Sequence, residues 1–439
     1  MSARRVAFAV PLALLLAVTL AHLGARSGYY RSSRPDAPLC ASFLLSSEGY
    51  ACFYDGIPVC ADVPHVTTLS GMFRGEAPGR ATGIMDERPL VPFIHSLLGA
   101  GSFGSYYVGV LASFLAMLAA CSCAVDLVLR LRGDALLAAA FGTLLAVNRG
   151  VGFYVGTPDV HMTAFAWYPV AAWFFESLAI GEATTPRSHV ALYGLLLGVA
   201  SLTYLGDAAL LGFVGLYGLR RTPLRRLVAI GATAMAVIVA WRALGRAVGL
   251  AFDAFATHAI GDGLRLLVVR ARESFAVFPY APRDVPLGAL RALGNGLLVW
   301  SRMEGPLAHV LTKALVPCFG WPLIALALAG LAAARRSERR LALALALPAI
   351  AAAWPMNALY DAPRLTYPAT AGVSLAATFG LAALAGAAHA AVARLGARPS
   401  LAIAARVLVV ASVLAAFALF ENADVFGRAE RPRVFHFGS

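Results

Sequence analysis

Charged residues are scarce in this sequence: Asp, Glu, Lys and Arg make up 13% of its 439 residues, whereas hydrophobic residues make up 60%. A soluble domain of this size needs far more polar surface, so this composition excludes one. The apolar residues form solid blocks of about twenty, the length that an α-helix needs to cross roughly 30 Å of hydrocarbon. A transmembrane β-barrel would show alternating segments of about ten residues. The sequence therefore predicts an all-α polytopic membrane protein.

Lysine is almost absent, and the net charge of +13 is carried by arginine, with Lys313 as the single lysine. A basic protein raises nucleic acid as a partner, but no zinc-finger spacing or basic and aromatic ribbon supports that interpretation. The arginines cluster in short loops between apolar blocks, as the positive-inside rule predicts. We therefore expect membrane lipids, and not nucleic acid, as partners.

Eleven apolar segments are expected to span the membrane. They cover residues 6–25, 104–130, 134–150, 158–180, 189–205, 207–220, 224–248, 307–334, 339–355, 366–394 and 401–420. Because Arg4 and Arg5 precede the first segment, the N-terminus is predicted to be cytoplasmic, and the other arginine clusters then fall on the same side. The first segment could be a signal peptide, but it lacks a convincing small-x-small cleavage site and is expected to stay. The Arg-heavy and Ala-rich composition favours a bacterial inner membrane.

The span count has one alternative. Residues 189–220 could form one long tilted helix, which would invert the sidedness of everything after it. The stretch Tyr204-Leu205-Gly206-Asp207 places a glycine and a carboxylate in an apolar run, which favours two helices that meet at the outer face.

Residues 1–439 are predicted to form a single membrane domain with two long outer loops, 26–103 and 249–306. Connections of that length carry function more often than ordinary turns do. The first loop holds three cysteines, Cys40, Cys52 and Cys60, outside the cytoplasm, where one pair is expected to be bridged. Proximity slightly favours Cys52 with Cys60, but the pairing stays open. Three further cysteines within the spans are expected to be packing residues; these are Cys121, Cys123 and Cys318.

The second outer loop contains two amphipathic segments, residues 262–275 and 286–303, with apolar residues at helical spacing and arginines between them. Both are expected to lie in the interfacial plane. The arginines either anchor the loop at the headgroups or hold the phosphate of a lipid-linked substrate. They are Arg265, Arg270, Arg272 and Arg291.

In the first outer loop, acidic residues twice stand just before a proline. Asp62 opens a stretch that ends at Gly75, and Asp86-Glu87 precedes the run Arg88-Pro89-Leu90-Val91-Pro92. An acid before a proline is also typical of a plain helix N-terminus. Two later loops add Gly156-Thr157-Pro158-Asp159 and Arg364-Leu365-Thr366-Tyr367-Pro368.

In order, spacing and common sidedness, these motifs resemble those of the GT-C glycosyltransferases, integral-membrane enzymes that use polyprenyl-phosphate-linked sugars, and family 39 in particular. The sequence departs from that pattern in three ways. The usual aromatic residue after Asp62 is missing, the second loop has Asp159 alone instead of an acidic pair, and the first loop has a cysteine-bearing insertion.

The resemblance implies sugar transfer from a polyprenyl-phosphate-like donor to an extracytoplasmic acceptor, with inversion at the anomeric carbon. Asp62 and Asp159 would be catalytic, with Asp62 as the base. The implied substrate-binding residues are His65, Asp86, Glu87, Arg88, His161, Arg364 and Tyr367. Arg364 would meet the phosphate. No cofactor is implied, although Asp62 with His65 and Asp159 with His161 could hold a divalent ion if the two loops meet.

Two other classes of function compete with this interpretation. Eleven helices with embedded charge could form a transporter or flippase, but no internal repeat is evident and the acids lie at one surface instead of the midplane. A non-enzymatic protein of the cell envelope is the third possibility.

Overall fold

The computed structural model describes residues 2–29, 39–42, 50–54, 57–59, 90–91, 94, 102–155, 160–182, 184–203, 209–219, 221–247, 315–360, 363–422 and 433–436. Both amphipathic segments of the second outer loop lie outside these residues. Each of the eleven predicted apolar segments corresponds to one helix, and a short additional helix, α4, follows α3. Among the described residues, the helices are α1 Ala3–Tyr29, α2 Ser102–Arg132, α3 Ala135–Ala146, α4 Arg149–Tyr154, α5 Val160–Ser177, α6 Arg187–Thr203, α7 Ala209–Gly218, α8 Leu224–Ala247, α9 Val316–Ala333, α10 Arg336–Tyr360, α11 Thr370–Arg394 and α12 Pro399–Glu421.

Within the described residues, five helical stretches are long and apolar enough to cross a membrane: Ala3–His22, Val110–Arg132, Leu224–Trp241, Thr366–Arg394 and Pro399–Glu421. Three shorter apolar helices accompany them. Large apolar side chains are exposed on these helices, among them Leu401, Ile403 and Leu408 of α12. Such a surface suits lipid and not water. The chain is a multi-pass helical membrane protein, as its composition predicts.

The segment 189–220 forms two helices, because α6 ends at Thr203 and α7 begins only at Ala209. Their direction follows from an ion pair just after α7, in which Arg221 Nη1 lies 2.6 Å from Oε1 of Glu176, at the end of α5. The end of α7 therefore lies beside the end of α5, the helix that precedes α6. The chain must then turn back between α6 and α7. This excludes the single long helix.

The helices pack most closely where glycines let two backbones touch. A Cβ added to Gly330 of α9 would lie 1.8 Å from the carbonyl oxygen of Ala376 in α11, and one added to Gly380 would lie 2.2 Å from that of Leu326. Gly194 and Gly198 also bring α6 close to α8, where a Cβ added to either would lie 2.9 Å from a backbone carbonyl oxygen. Small residues four apart are a usual device for helix association in membranes, where burial of apolar surface gives little driving force between helices.

One end of the bundle, which we term the arginine end, collects the arginines that flank the helices. It is defined by Arg4, Arg132, Arg221, Arg335 and Arg398. The opposite end, termed the loop end, holds the end of α1, the α3–α4 junction, the start of α11 and the end of α12.

A small antiparallel sheet joins the two chain termini, a feature that the sequence analysis did not predict. Its strands are β1 Leu39–Ser42, β2 Tyr50–Tyr54, β3 Ile57–Val59 and β4 Arg433–His436, in the order β3-β2-β1-β4. β1 follows α1 and β4 follows α12, and the two strands pair directly. The segment after α1 and the segment after α12 therefore lie on the same side of the membrane. This requires an odd number of membrane crossings from the start of α1 to the end of α12.

Candidate functional site

Four acidic residues at the arginine end are paired with arginines, which indicates a structural role for these pairs. The carboxylate of Asp126 accepts hydrogen bonds from Arg130 Nε at 2.6 Å, from Trp173 Nε1 at 2.9 Å and from Arg4 Nη2 at 3.2 Å. Glu176 accepts from Arg221 and from the Tyr217 hydroxyl, each at 2.6 Å. Two further pairs cross the bundle, Arg132 with Glu338 and Arg406 with Asp134.

The loop end has a different chemistry, because its buried polar side chains are mostly uncharged. His22 Nε2 of α1 lies 2.9 Å from Oδ1 of Asn422, which ends α12. The Asn422 amide donates to the carbonyl oxygen of Val147 at 3.0 Å, and Oδ1 of the adjacent Asn148 accepts the backbone N–H of Gly150 at 2.9 Å. These bonds join α1, the α3–α4 junction and α12.

Two glycines of helix α4 allow it to pack closely in this junction. A Cβ on Gly150 would lie 2.5 Å from the ring of Tyr367, and one on Gly152 would lie 2.4 Å from His22 Nε2. A larger residue at either position would require the ring, the imidazole or α4 itself to shift. Glycine avoids this because it has no Cβ.

Tyr367 comes from a 3₁₀ helix, Pro363–Ala369, that leads into α11. This short helix packs against α5, α9, α10 and α11. The late-loop motif thus lies beside α5, which begins at Val160, whereas residues 156–159 of the second-loop motif lie outside the described residues. Thr366 is fully buried there, and the Tyr367 side chain is buried with its ring against Gly150 of α4.

Most of the residues predicted for the site lie outside the described part of the chain. These are Asp62, His65, Asp86, Glu87, Arg88 and Asp159. His161 is the second residue of α5 and Arg364 the second of the 3₁₀ helix, and both are described by their backbone alone. Of the predicted site residues, Tyr367 is the one whose side-chain position the structure describes. Among the described residues, no group of three or more His, Cys, Asp or Glu side chains could hold a metal ion. The possible ligands Asp62, His65 and Asp159 lie outside the residues searched.

The sequence analysis missed the polar side chains of the loop end itself. Asn148 Nδ2, Thr143 Oγ1, Thr370 Oγ1 and Ser374 Oγ are buried and have no hydrogen-bond partner among the described residues. A buried amide or hydroxyl without a partner costs free energy, so such groups mark places where a polar ligand or water would be stabilised. The available signal was a histidine or asparagine at the end of an apolar run, as at His22 and Asn148.

No family model matches this chain, and no curated protein matches it. Among solved structures, ArnT from Cupriavidus metallidurans is similar in two states. The apo form shares 16% identity over 84% of this chain and 71% of that chain, and the form bound to undecaprenyl phosphate shares 15% over 95% and 75%; the TM-score is 0.47 in both cases.

Proposed function

We propose that this protein is a membrane glycosyltransferase that moves a sugar from a polyprenyl-phosphate-like lipid donor to an acceptor outside the cytoplasm. One observation supports it most: the 3₁₀ helix with Arg364 and Tyr367 packs against α5, which begins directly after Asp159. The proposal requires that the motif with Asp159, which resembles one of GT-C enzymes, lies close to the motif with Arg364, although the two are far apart in sequence.

The chemistry assigns a role to each group. The acceptor hydroxyl attacks the anomeric carbon, the bond from that carbon to the phosphate oxygen breaks, and the phosphate leaves with the electron pair. Asp62 takes the proton of the hydroxyl as general base, and Asp159 is the second catalytic carboxylate. Arg364 stabilises the charge that develops on the leaving phosphate. Displacement by direct attack inverts the anomeric centre.

The remaining predicted residues would bind substrate around these groups. They are His65, Asp86, Glu87, Arg88, His161 and Tyr367. We place the arginine end in the cytoplasm and the loop end outside it, in line with the positive-inside rule. The polyprenyl tail would then lie among the helices while its phosphate stays at the loop end, where a lower local dielectric strengthens charge stabilisation.

Transport of a polar or lipid-linked substrate is the second candidate. It is favoured by the buried hydroxyls of Thr143, Thr370 and Ser374, which have no partner among the described residues and lie inside the bundle. Buried polar groups of this kind line the pathways of membrane transporters.

The two functions can be separated with the purified protein in proteoliposomes, given synthetic polyprenyl-phosphate hexoses and pentoses with a radiolabelled sugar. For Asp159→Asn and Arg364→Ala we expect sugar transfer to fall by about 10²-fold or more, because each removes a group that acts only in the transition state. The matched controls are Glu182→Gln and Arg394→Ala, exposed residues at the arginine end. They should leave transfer unchanged.

A different result would favour transport. If the wild-type protein moves the labelled lipid across the bilayer without releasing sugar to any acceptor, the protein is a transporter. If transfer occurs and all four variants retain it, the assignment of Asp159 and Arg364 is wrong. Folding of each variant is checked by its elution as a single species in detergent.

A further inference from the structure

The register of the small sheet brings two cysteines opposite one another. In the antiparallel pair of β1 and β2, Cys40 is directly opposite Cys52, between the pairs Leu39 with Phe53 and Ala41 with Ala51. Two directly opposite residues of an antiparallel pair occupy the same face of the sheet. The pairing of the strands does not by itself require cysteine at either position.

The spacing of such positions suits a disulfide. Directly opposite residues have their Cα atoms about 4.5 Å apart in a non-hydrogen-bonded pair and about 5.5 Å apart in a hydrogen-bonded pair. Disulfides form between Cα atoms roughly 4.4–6.8 Å apart. Both types of pair therefore allow a bridge without any movement of the backbone.

The same register argues against the pairing that proximity in sequence favours. On its other side β2 pairs with β3, and the residue opposite Cys52 is Val59. The cross-strand neighbours of Cys52 are thus one cysteine, Cys40, and one valine. Cys60 follows β3 and lies outside the described residues.

We infer that Cys40 and Cys52 form a disulfide bond and that Cys60 stays a thiol. The hairpin follows α1, whose other end carries Arg4 and Arg5, so with that end in the cytoplasm the hairpin lies in a compartment where disulfides persist. The oxidant is a disulfide-bearing oxidoreductase of that compartment. One thiolate attacks its disulfide to form a mixed disulfide, and the second thiolate attacks the protein's sulfur in that mixed disulfide and releases the thiolate of the oxidoreductase. The two thiols lose two protons and two electrons, and the oxidoreductase is reduced to its dithiol.

The bridge would also stabilise the pairing of the two termini. β1 is paired with β2 on one edge and with β4 on the other, where Cys40 is opposite Phe435. Hairpins of two short strands are at best marginally stable alone. A covalent bond between β1 and β2 therefore supports the strand on which the C-terminal segment is docked.

The test is peptide mapping of the full chain, purified from membranes without reductant after alkylation of free thiols in intact cells. A protease that cleaves after acidic residues separates the three cysteines, because Glu48 lies between Cys40 and Cys52 and Asp55 between Cys52 and Cys60. We expect a linked pair of peptides that holds Cys40 and Cys52, which separates on reduction, and an alkylated peptide that holds Cys60.

Two variants keep the test decisive. Cys60→Ser should retain the link, whereas Cys52→Ser should leave Cys40 alkylated. Recovery of Cys121 and Cys318 as thiols after denaturation shows that oxidation during purification was avoided. A link from Cys60 to either partner, or complete alkylation of Cys40 and Cys52, would overturn the inference. Because the readout is a mass, it does not depend on the proposed enzyme activity.

Discussion

Arg132, at the end of α2, is bound in a bidentate manner to Glu338, at the start of α10. Its Nε and Nη2 lie 2.5 Å and 2.6 Å from the two carboxylate oxygens. Oε2 of Glu338 also accepts the backbone N–H of Arg335 at 2.9 Å, so the same carboxylate caps a helix N-terminus. The Glu338 side chain is 3% exposed and that of Arg132 is 21% exposed. This buried pair ties α2 to α10 at the arginine end.

We expect Glu338→Ala to destabilise the protein by about 3–5 kcal/mol, because it leaves a half-buried guanidinium without its partner and removes the cap. Thermal unfolding in detergent measures the effect. Glu182→Gln is the control, since that carboxylate is exposed and its change should stay within about 0.5 kcal/mol. Equal unfolding temperatures for the two variants would contradict the prediction.

Helix α11 offers a matched pair of glycine substitutions. Gly380→Ala would put a Cβ against the backbone of α9, and overpacking of this kind costs about 1–3 kcal/mol or more. Gly386→Ala meets nothing within 4 Å, and alanine favours an exposed helix by about 0.8–1 kcal/mol over glycine. The first variant should therefore unfold at a lower temperature than wild type and the second at the same or a higher one. Destabilisation of both would show that the close approach of α9 and α11 is not what requires glycine.

The fold was largely predictable because the features that set it are local. Apolar blocks give eleven of the twelve helices described above, and Tyr204–Asp207, with its glycine and aspartate, falls in sequence between α6 and α7. The sheet could not be predicted, since β1 and β4 are each four residues of ordinary composition that pair across nearly the whole chain. No local signal specifies such a partner.

The candidate site was less predictable than the fold. Tyr367 was selected for its motif, but its contact with Gly150 depends on how α4 and the 3₁₀ helix pack. His22 and Asn422 are 400 residues apart, and neither belongs to a recognisable motif. The roles of Asp62, Asp159 and Arg364 stay predictions, because a role depends on where side chains from several loops meet.

Sidedness provides a third prediction. The sheet places β4 beside β1, and α11 and α12 are joined at the arginine end. Alkaline phosphatase, which is active only outside the cytoplasm, should therefore be active when fused after Ser439 and inactive when inserted at Gly396. A reporter for the cytoplasm should give the opposite pattern. The same response at both positions would mean that α12 does not cross the membrane.

The first helix is expected to remain in the mature protein, because it is an integral part of the bundle. Its Leu15 is fully buried, Pro11 packs against Gly142 of α3, and its two ends are bonded through Arg4 to Asp126 and through His22 to Asn422. Removal of α1 would expose that apolar surface and deprive the buried Asn422 of its bond to His22, at a cost of about 1–3 kcal/mol for that hydrogen bond alone. The intact mass of the protein purified from membranes should therefore include residues 1–29, apart from removal of Met1. A truncated chain that begins after α1 should fail to elute as a folded species. A mature mass that lacks α1, in a protein that still folds, would show that these contacts are dispensable and that the segment is a signal peptide.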